Sequence, residues 1–486
     1  MEQPWSGLAA ALACRPAGEF ALGVPGESTM LGGVLATEGQ RGRQRTVAAT
    51  RNDRPFGGSF WCAYVANTSL MLGVSLLFRY SDFVEHLGGS EYELGWIVGI
   101  GMVGAVVMRL VIGLCVDRYG AANTWIVSEL GVILSLVGHL GVDGVNSLEI
   151  YGLRMLYATS LAGAFGSSIV FVSLRAPADQ IGATIGALGS SGFIGMALGP
   201  MLGDYLFSLP SGGRTPVDRM FYCALVAACV ALAATVVGRW TAGPHRRTSR
   251  RPVPLGWLLR RYHPGPVLLI GVAMGMGINM PFSFLRPFAD RLGVDGTQTF
   301  FVMYSAVAFL SRVLGRKLPD RWGVRNTVTT GMIFLCLHLL AFLLVRSERG
   351  LMLPAVLGGI AHAFVFPAAM TAASTSFPNR YRGLATAWML TMFDAGSMLG
   401  QPAIGSLLHF AERFGLPPYP TMFVVITTAI ALVTSWYVWR EPRGKDARGR
   451  HRPTPRIDER ARASRDTRGD MATECDPVAT SFDSAL

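Results

Sequence analysis

Residues 108–120 read MRLVIGLCVDRYG, and residues 311–323 read SRVLGRKLPDRWG. In each stretch an arginine precedes an aspartate by eight residues, Arg109 before Asp117 and Arg312 before Asp320. Each closes on Asp-Arg-aromatic-Gly, with Arg118 and Gly120 in one copy and Arg321 and Gly323 in the other; Gly113 and Gly315 lie between. The segments just upstream repeat as well. LFRYSDFVEHLG at 77–88 resembles FLRPFADRLG at 284–293, which aligns Arg79 with Arg286. Downstream, GFIGMALGPMLG (Gly192, Gly195, Gly199, Pro200, Gly203) parallels DAGSMLGQPAIG (Asp394, Gly396, Gly400, Pro402, Gly405). Matched sites in the same order are the mark of a duplicated structural unit.

The surroundings of these repeats are apolar. The chain has 486 residues, 51% hydrophobic and 15% charged, against roughly 25% charged in an average soluble domain. Mean hydropathy is +0.38 although both ends are polar, so the middle is far more apolar than the average. Twelve apolar segments can be drawn, near 60–78, 94–116, 124–143, 149–173, 182–207, 219–239, 266–288, 299–317, 326–345, 351–374, 383–409 and 421–439. Many reach about 20 residues, the length that crosses roughly 30 Å of hydrocarbon. The spacing predicts an all-α polytopic membrane protein in two halves of six helices, over 59–239 and 266–440. A basic cytoplasmic linker over 240–265 joins them. Residues 1–58 and 441–486 are expected to be disordered cytoplasmic tails, the first either genuine or in part the product of a misassigned start codon.

Charge sets the expected orientation. With the N-terminus inside, the cytoplasmic loops carry Arg118, Arg175, seven arginines from Arg239 to Arg261, then Arg316, Lys317, Arg321, Arg325, Arg380 and Arg382. The opposite loops hold few basic residues and the acidic SDFVEHLGGSEYE. This bias predicts both termini in the cytoplasm of a cell with the protein in its inner membrane. The net charge of +12 is therefore loop charge, not the charged groove with stacking aromatics that binds nucleic acid. Seven cysteines form no CxxC and no Cys/His cluster, and five lie in apolar segments. No disulfide, metal or cofactor is expected. No spaced nucleophile, base and orienting group stands out, and no phosphate loop, so an enzyme is not expected.

The repeats, the central basic linker and the twelve spans together resemble the major facilitator superfamily over about 60–440. GLCVDRYG is similar to that family's loop motif between helices two and three, and GFIGMALGPMLG to its helix-five motif, often associated with antiporters. The resemblance implies two pseudo-symmetric six-helix bundles that rock about a central substrate site. It also implies that Asp117 faces the start of helix eleven near Leu384 when the cytoplasmic side is closed. A carboxylate there meets the positive end of the helix dipole and favours the outward-facing state. Asp320 would act likewise in the second half. Gly113 would let helices approach closely, and Gly120 makes the turn. The helix-five glycines and Pro200 either pack helix on helix or form a flexible hinge.

Ionisable groups inside the hydrocarbon are costly and ordinarily face a cavity or a partner. Arg109 lies about 12 Å along its helix from Asp117. It can pair with Glu129 inside its own bundle or with Asp394 across the bundle interface, and only the second pair would break on rocking. Asp394, Arg109, Glu129 and His362 are the candidates for proton coupling. Arg154 resembles the helix-four arginine of proton-driven drug exporters; it binds an anionic substrate, tunes a nearby acid, or snorkels to the interface. Asn67 and Asn279 are polar groups at plausible cavity positions. The expectation is a monomeric, proton-coupled secondary transporter, an exporter of a small organic molecule. The alternatives are an importer of a small anion, suggested by Arg79, Arg154 and Arg286, and a non-transporting receptor of the same fold.

Overall fold

The computed structural model describes residues 56–177, 180–210, 215–242, 265–315, 321–377 and 381–441. Most of the two tails, the linker from 243 to 264 and Asp320 lie outside the described residues. Among the described residues twelve helical spans occur in order. The first six are α1 (Gly58–His86, with a 3-10 turn at Leu77–Arg79), α2 (Glu91–Tyr119), α3 (Ala121–His139), α4 (Leu148–Ser173), α5 (Ile181–Ser208) and α6 (Pro216–Ala242). The second six are α7 (Val267–Arg291), α8 (Gln298–Leu314), α9 (Val324–Leu344), α10 (Glu348–Thr375), α11 (Arg382–Arg413) and α12 (Pro418–Arg440). Each expected apolar segment falls on one helix.

By length and composition, 10 of these helices can cross a membrane, and α8 is a shorter apolar helix. α11 runs 32 residues but is interrupted by Asp394, Gln401 and four glycines, which lower its hydropathy. In lipid a helix satisfies its own backbone, so an all-helical chain is the expected answer to this composition. Outward-facing Val107, Leu110, Leu114, Val127, Leu134 and Leu432 are exposed in the isolated protein, as lipid-facing residues must be.

Local sequence sets where helices begin and turn. Ser90 opens α2 with a capping box: its hydroxyl accepts from Tyr92 N at 3.2 Å, and its own N–H donates to Glu93 Oε2 at 2.8 Å. Such a cap contributes about 1 kcal/mol. Gly120 joins α2 to α3 at φ 87°, and Gly323 precedes α9 at φ 82°. Only glycine adopts that conformation cheaply, so the two repeat glycines make the same turn in the two halves.

Within the first half, α1 packs on α5 and α6, and α4 on α2 and α3. In the second half, α7 packs on α11 and α12, and α10 on α8 and α9. The halves meet along α2 with α11, α5 with α8, and the far end of α1 with α7. With every helix spanning, α2, α4, α6, α8, α10 and α12 end on the same side, here called the linker face; the other side is the far face.

The contacts between halves differ along the helix axes. Towards the far face, α2 and α11 touch backbone to backbone: a Cβ on Gly95 would stand 2.5 Å from Gln401 O, and one on Gly405 2.6 Å from Glu91 O. Towards the linker face, Gly113 of α2 and Gly182, Gly186 and Gly192 of α5 have nothing within 4 Å among the described residues. Among the described residues, the closest backbone approaches between the halves lie towards the far face.

Candidate functional site

Between the halves, α1, α2, α4, α7, α10 and α11 line a cavity of about 330 Å³. Most of its wall is apolar. The polar groups on it are Arg109, Arg154, Tyr157, Asn279, Ser283, His362, Asp394, Ser397 and Gln401. On the far side it is capped by aromatic rings. Phe78 stacks on Phe282 at 4.8 Å and meets Phe301 at the same distance.

Five of the residues expected from sequence converge on this cavity. Arg109 Nε donates to Asp394 Oδ2 at 2.9 Å, joining the first bundle to the second. The two side chains are 15% and 7% exposed. Arg154 stands over the rings of Tyr80 at 4.3 Å and Tyr157 at 5.1 Å. It has no carboxylate partner among the described residues, and its buried Nη1 has no hydrogen bond. His362 Nδ1 lies 2.9 Å from Tyr304 Oη. Asn279 Nδ2 donates to Gly275 O at 2.9 Å, and Gln401 Nε2 reaches Asn279 O at 3.2 Å.

Other expectations land elsewhere. Glu129 is fully buried inside the first bundle, where Thr235 Oγ1 donates to its Oε1 at 3.0 Å; it lines no part of this cavity and does not meet Arg109. Asn67 also lies off the cavity wall, since its amide donates to Ser191 Oγ at 2.7 Å, tying α1 to α5. Asp117 and Arg118 are exposed. At Gly113 no close approach is seen among the described residues, since a Cβ there would meet nothing within 4 Å. Arg321 is exposed, and Asp320 lies outside the described residues.

The helix-five motif is mainly a packing surface here. A Cβ on Gly195 would stand 2.8 Å from Thr68 O, one on Gly199 would collide with Ser75, and Ser75 Oγ donates to Gly195 O at 2.7 Å. Gly192 has open space, and Gly203 has ordinary contact with Arg79 at 3.4 Å. Pro200 lies inside α5 without ending it. Arg79 and Arg286 are not free for a substrate: each is tied into carboxylates at the far face.

Sequence reasoning missed Tyr157, Ser283, Ser397 and Gln401 on the cavity wall. Gln401 was legible as a polar residue in an apolar run; Tyr157 and Ser397 become cavity residues only through the rotation of their helices.

A membrane protein of two helical bundles with a small cavity at the interface of its repeats has the architecture in which transporters hold their substrates. The sequence profile of the Major Facilitator Superfamily matches residues 57–348 and 303–467. The chain belongs to that superfamily: it is a multi-pass membrane transporter, not an enzyme. It is 25% identical over 291 residues to the probable nitrate/nitrite antiporter NarK1 of Thermus thermophilus. That match takes in 57% of this chain and 64% of that protein, less than two thirds of its length. It is 24% identical over 389 residues to the multidrug resistance protein MdtG of Dickeya zeae (strain Ech586), covering 76% of this chain and 90% of that one. In fold it is similar to the nucleoside transporter NupG, with TM-score 0.63 at 13% identity over 79% of this chain and 100% of that chain.

Proposed function

We propose that the protein is a proton-coupled carrier that works by alternating access and exports a small organic anion. The observation that carries this reading is the cavity wall itself, with one arginine neutralised across the bundle interface and one without an acid partner among the described residues. A guanidinium held in low dielectric without a counter-charge favours an anionic ligand. A cavity of about 330 Å³ is at the small end of ligand sites.

Asp394 would supply coupling. Buried, it must pair or take up a proton; Arg109 is its partner on the opposite bundle, so rocking exchanges one state for the other. The arginine-rich linker face would be cytoplasmic, which makes this conformation inward-open, in an inner membrane with both termini inside. The direction of transport rests on the helix-five resemblance and on the likeness to a multidrug resistance protein. Import of the same anion is the second reading, favoured by the same unpaired Arg154.

A thermal-shift screen of the full-length protein tests the ligand class, because a ligand that binds only the native state raises its melting temperature. Small carboxylates, sulfonates and phosphates should stabilise it. Arg154→Gln should weaken that effect about 10- to 100-fold in apparent affinity, the worth of a charged hydrogen bond. Stabilisation by cations or neutral compounds alone would reject the anion. In inside-out vesicles of established sidedness, adding the stabilising anion should acidify the medium if protons exchange for it; alkalinisation would mean symport, and no proton movement would remove the coupling.

A further inference from the structure

Asp204 lies four residues before the end of α5. Its sequence context gives no sign of a role, since acids near helix ends are ordinarily solvated. Here its Oδ2 accepts from the backbone N–H of Thr297 at 3.0 Å and of Gln298 at 2.9 Å. Those are the first donors of α8, in the other bundle. Its Oδ1 accepts from Arg79 Nε at 3.0 Å and Nη2 at 2.8 Å. Arg79 and Asp204 are 6% and 11% exposed. Arg79 also binds Asp82 at 2.6 Å, and Asp82 lies 3.7 Å from Arg286 of the second bundle.

We propose that Asp204 is the latch of the far face: a carboxylate of the first bundle that caps α8 of the second, with Arg79 as its positioning residue. The first N–H groups of a helix have no partner within it, and they carry the positive end of its dipole. A carboxylate there forms strong, short bonds. Donor and acceptor belong to different bundles, so these bonds exist only while the far face is closed. The design also lets the latch release. α5 is clamped to α1 through Gly195 and Gly199, so Asp204 and Arg79 travel together. Opening then removes the cap without leaving a lone buried carboxylate. Gly296 completes the seat: a Cβ there would stand 3.3 Å from Asp204 Oδ2, so a larger side chain crowds the latch.

The inference rests on the alternating-access reading, and its test separates the two. The full chain, freed of native cysteines and carrying Met102→Cys on the cavity wall, is placed in right-side-out vesicles and labelled with a membrane-impermeant maleimide. His86→Cys, an exposed position at the far end of α1, serves as a separate control for orientation. Asp204→Asn should raise the labelling rate of residue 102 from the far face about 5- to 10-fold and, in inside-out vesicles labelled the same way, slow it from the linker face. Gly296→Val keeps the acid and should act in the same direction, which carries the test if Asp204→Asn does not insert. Unchanged far-face labelling of residue 102 in the inserted variants, with the control labelled normally, overturns the latch. Labelling of residue 86 from the wrong side would instead overturn the orientation.

Discussion

Arg109 and Arg312 occupy matched places in the two halves, on α2 and α8, yet they meet different partners. Arg109 reaches across to α11 and pairs with Asp394 at 2.9 Å. Arg312 reaches across to α5 and lies 5.1 Å over the ring of Phe193. In the register that pairs Pro200 with Pro402 and Gly203 with Gly405, Asp394 of α11 matches Gly192 of α5, next to Phe193. The duplication therefore preserved the helices, the turn glycines and the arginines, and kept an acid in only one of the two sites. Arg312 Nε is buried without a hydrogen bond. Scaffold residues obey the symmetry because both halves need the same packing. The charged pair does not: an acid meets the arginine in only one of the two places.

The largest break in that comparison is Asp394→Asn. It leaves Arg109 without its counter-charge, and removing one partner of a buried pair costs about 3–5 kcal/mol. It also fixes position 394 in a form that mimics the protonated acid. Proton-driven accumulation should be lost while the thermal shift with ligand persists. Wild-type accumulation against a gradient in this variant would make Asp394 structural.

Arg312→Gln should do less. It removes a cation that has no acid to abandon, so accumulation should survive. The apparent affinity for an anionic substrate should fall about tenfold or less, measured as the concentration dependence of uptake into vesicles. The loss of one partly desolvated cation–π contact should cost about 1–2 kcal/mol of stability. An effect of Arg312→Gln as large as that of Asp394→Asn would mean that both sites couple protons and that the broken symmetry is without consequence.

The smallest effect is expected from Glu129→Gln. Glutamine keeps the acceptor for Thr235, and the position lies off the cavity, so transport rates should stay within about twofold. Uncoupled transport in this variant would move the proton site into the first bundle.

Much of this molecule was legible before any coordinates. Twelve apolar runs became twelve helical spans among the described residues, and Gly120 and Gly323 became matching positive-φ turns. The site was legible only in part. Arg109, Arg154, Asn279, His362 and Asp394 were all visible as polar groups in apolar runs, and all line the cavity. Asn67 and Glu129 were equally visible, yet face other helices of their own bundle. Asp204 was invisible, because its partners in the other bundle are backbone N–H groups that have no sequence signature.

The sequence by itself determined the membrane class, the duplication and the places where helices end. Those follow from segment length, hydropathy and local backbone chemistry, which act within a few turns of chain. Tertiary structure alone decided that Arg109 takes Asp394 rather than Glu129, that Arg154 meets no acid among the described residues, and that the halves approach most closely towards the far face. Each depends on the rotation of a helix about its axis and on which end of a helix pair is in contact. Those quantities arise from packing between segments far apart in the chain, so no single segment encodes them.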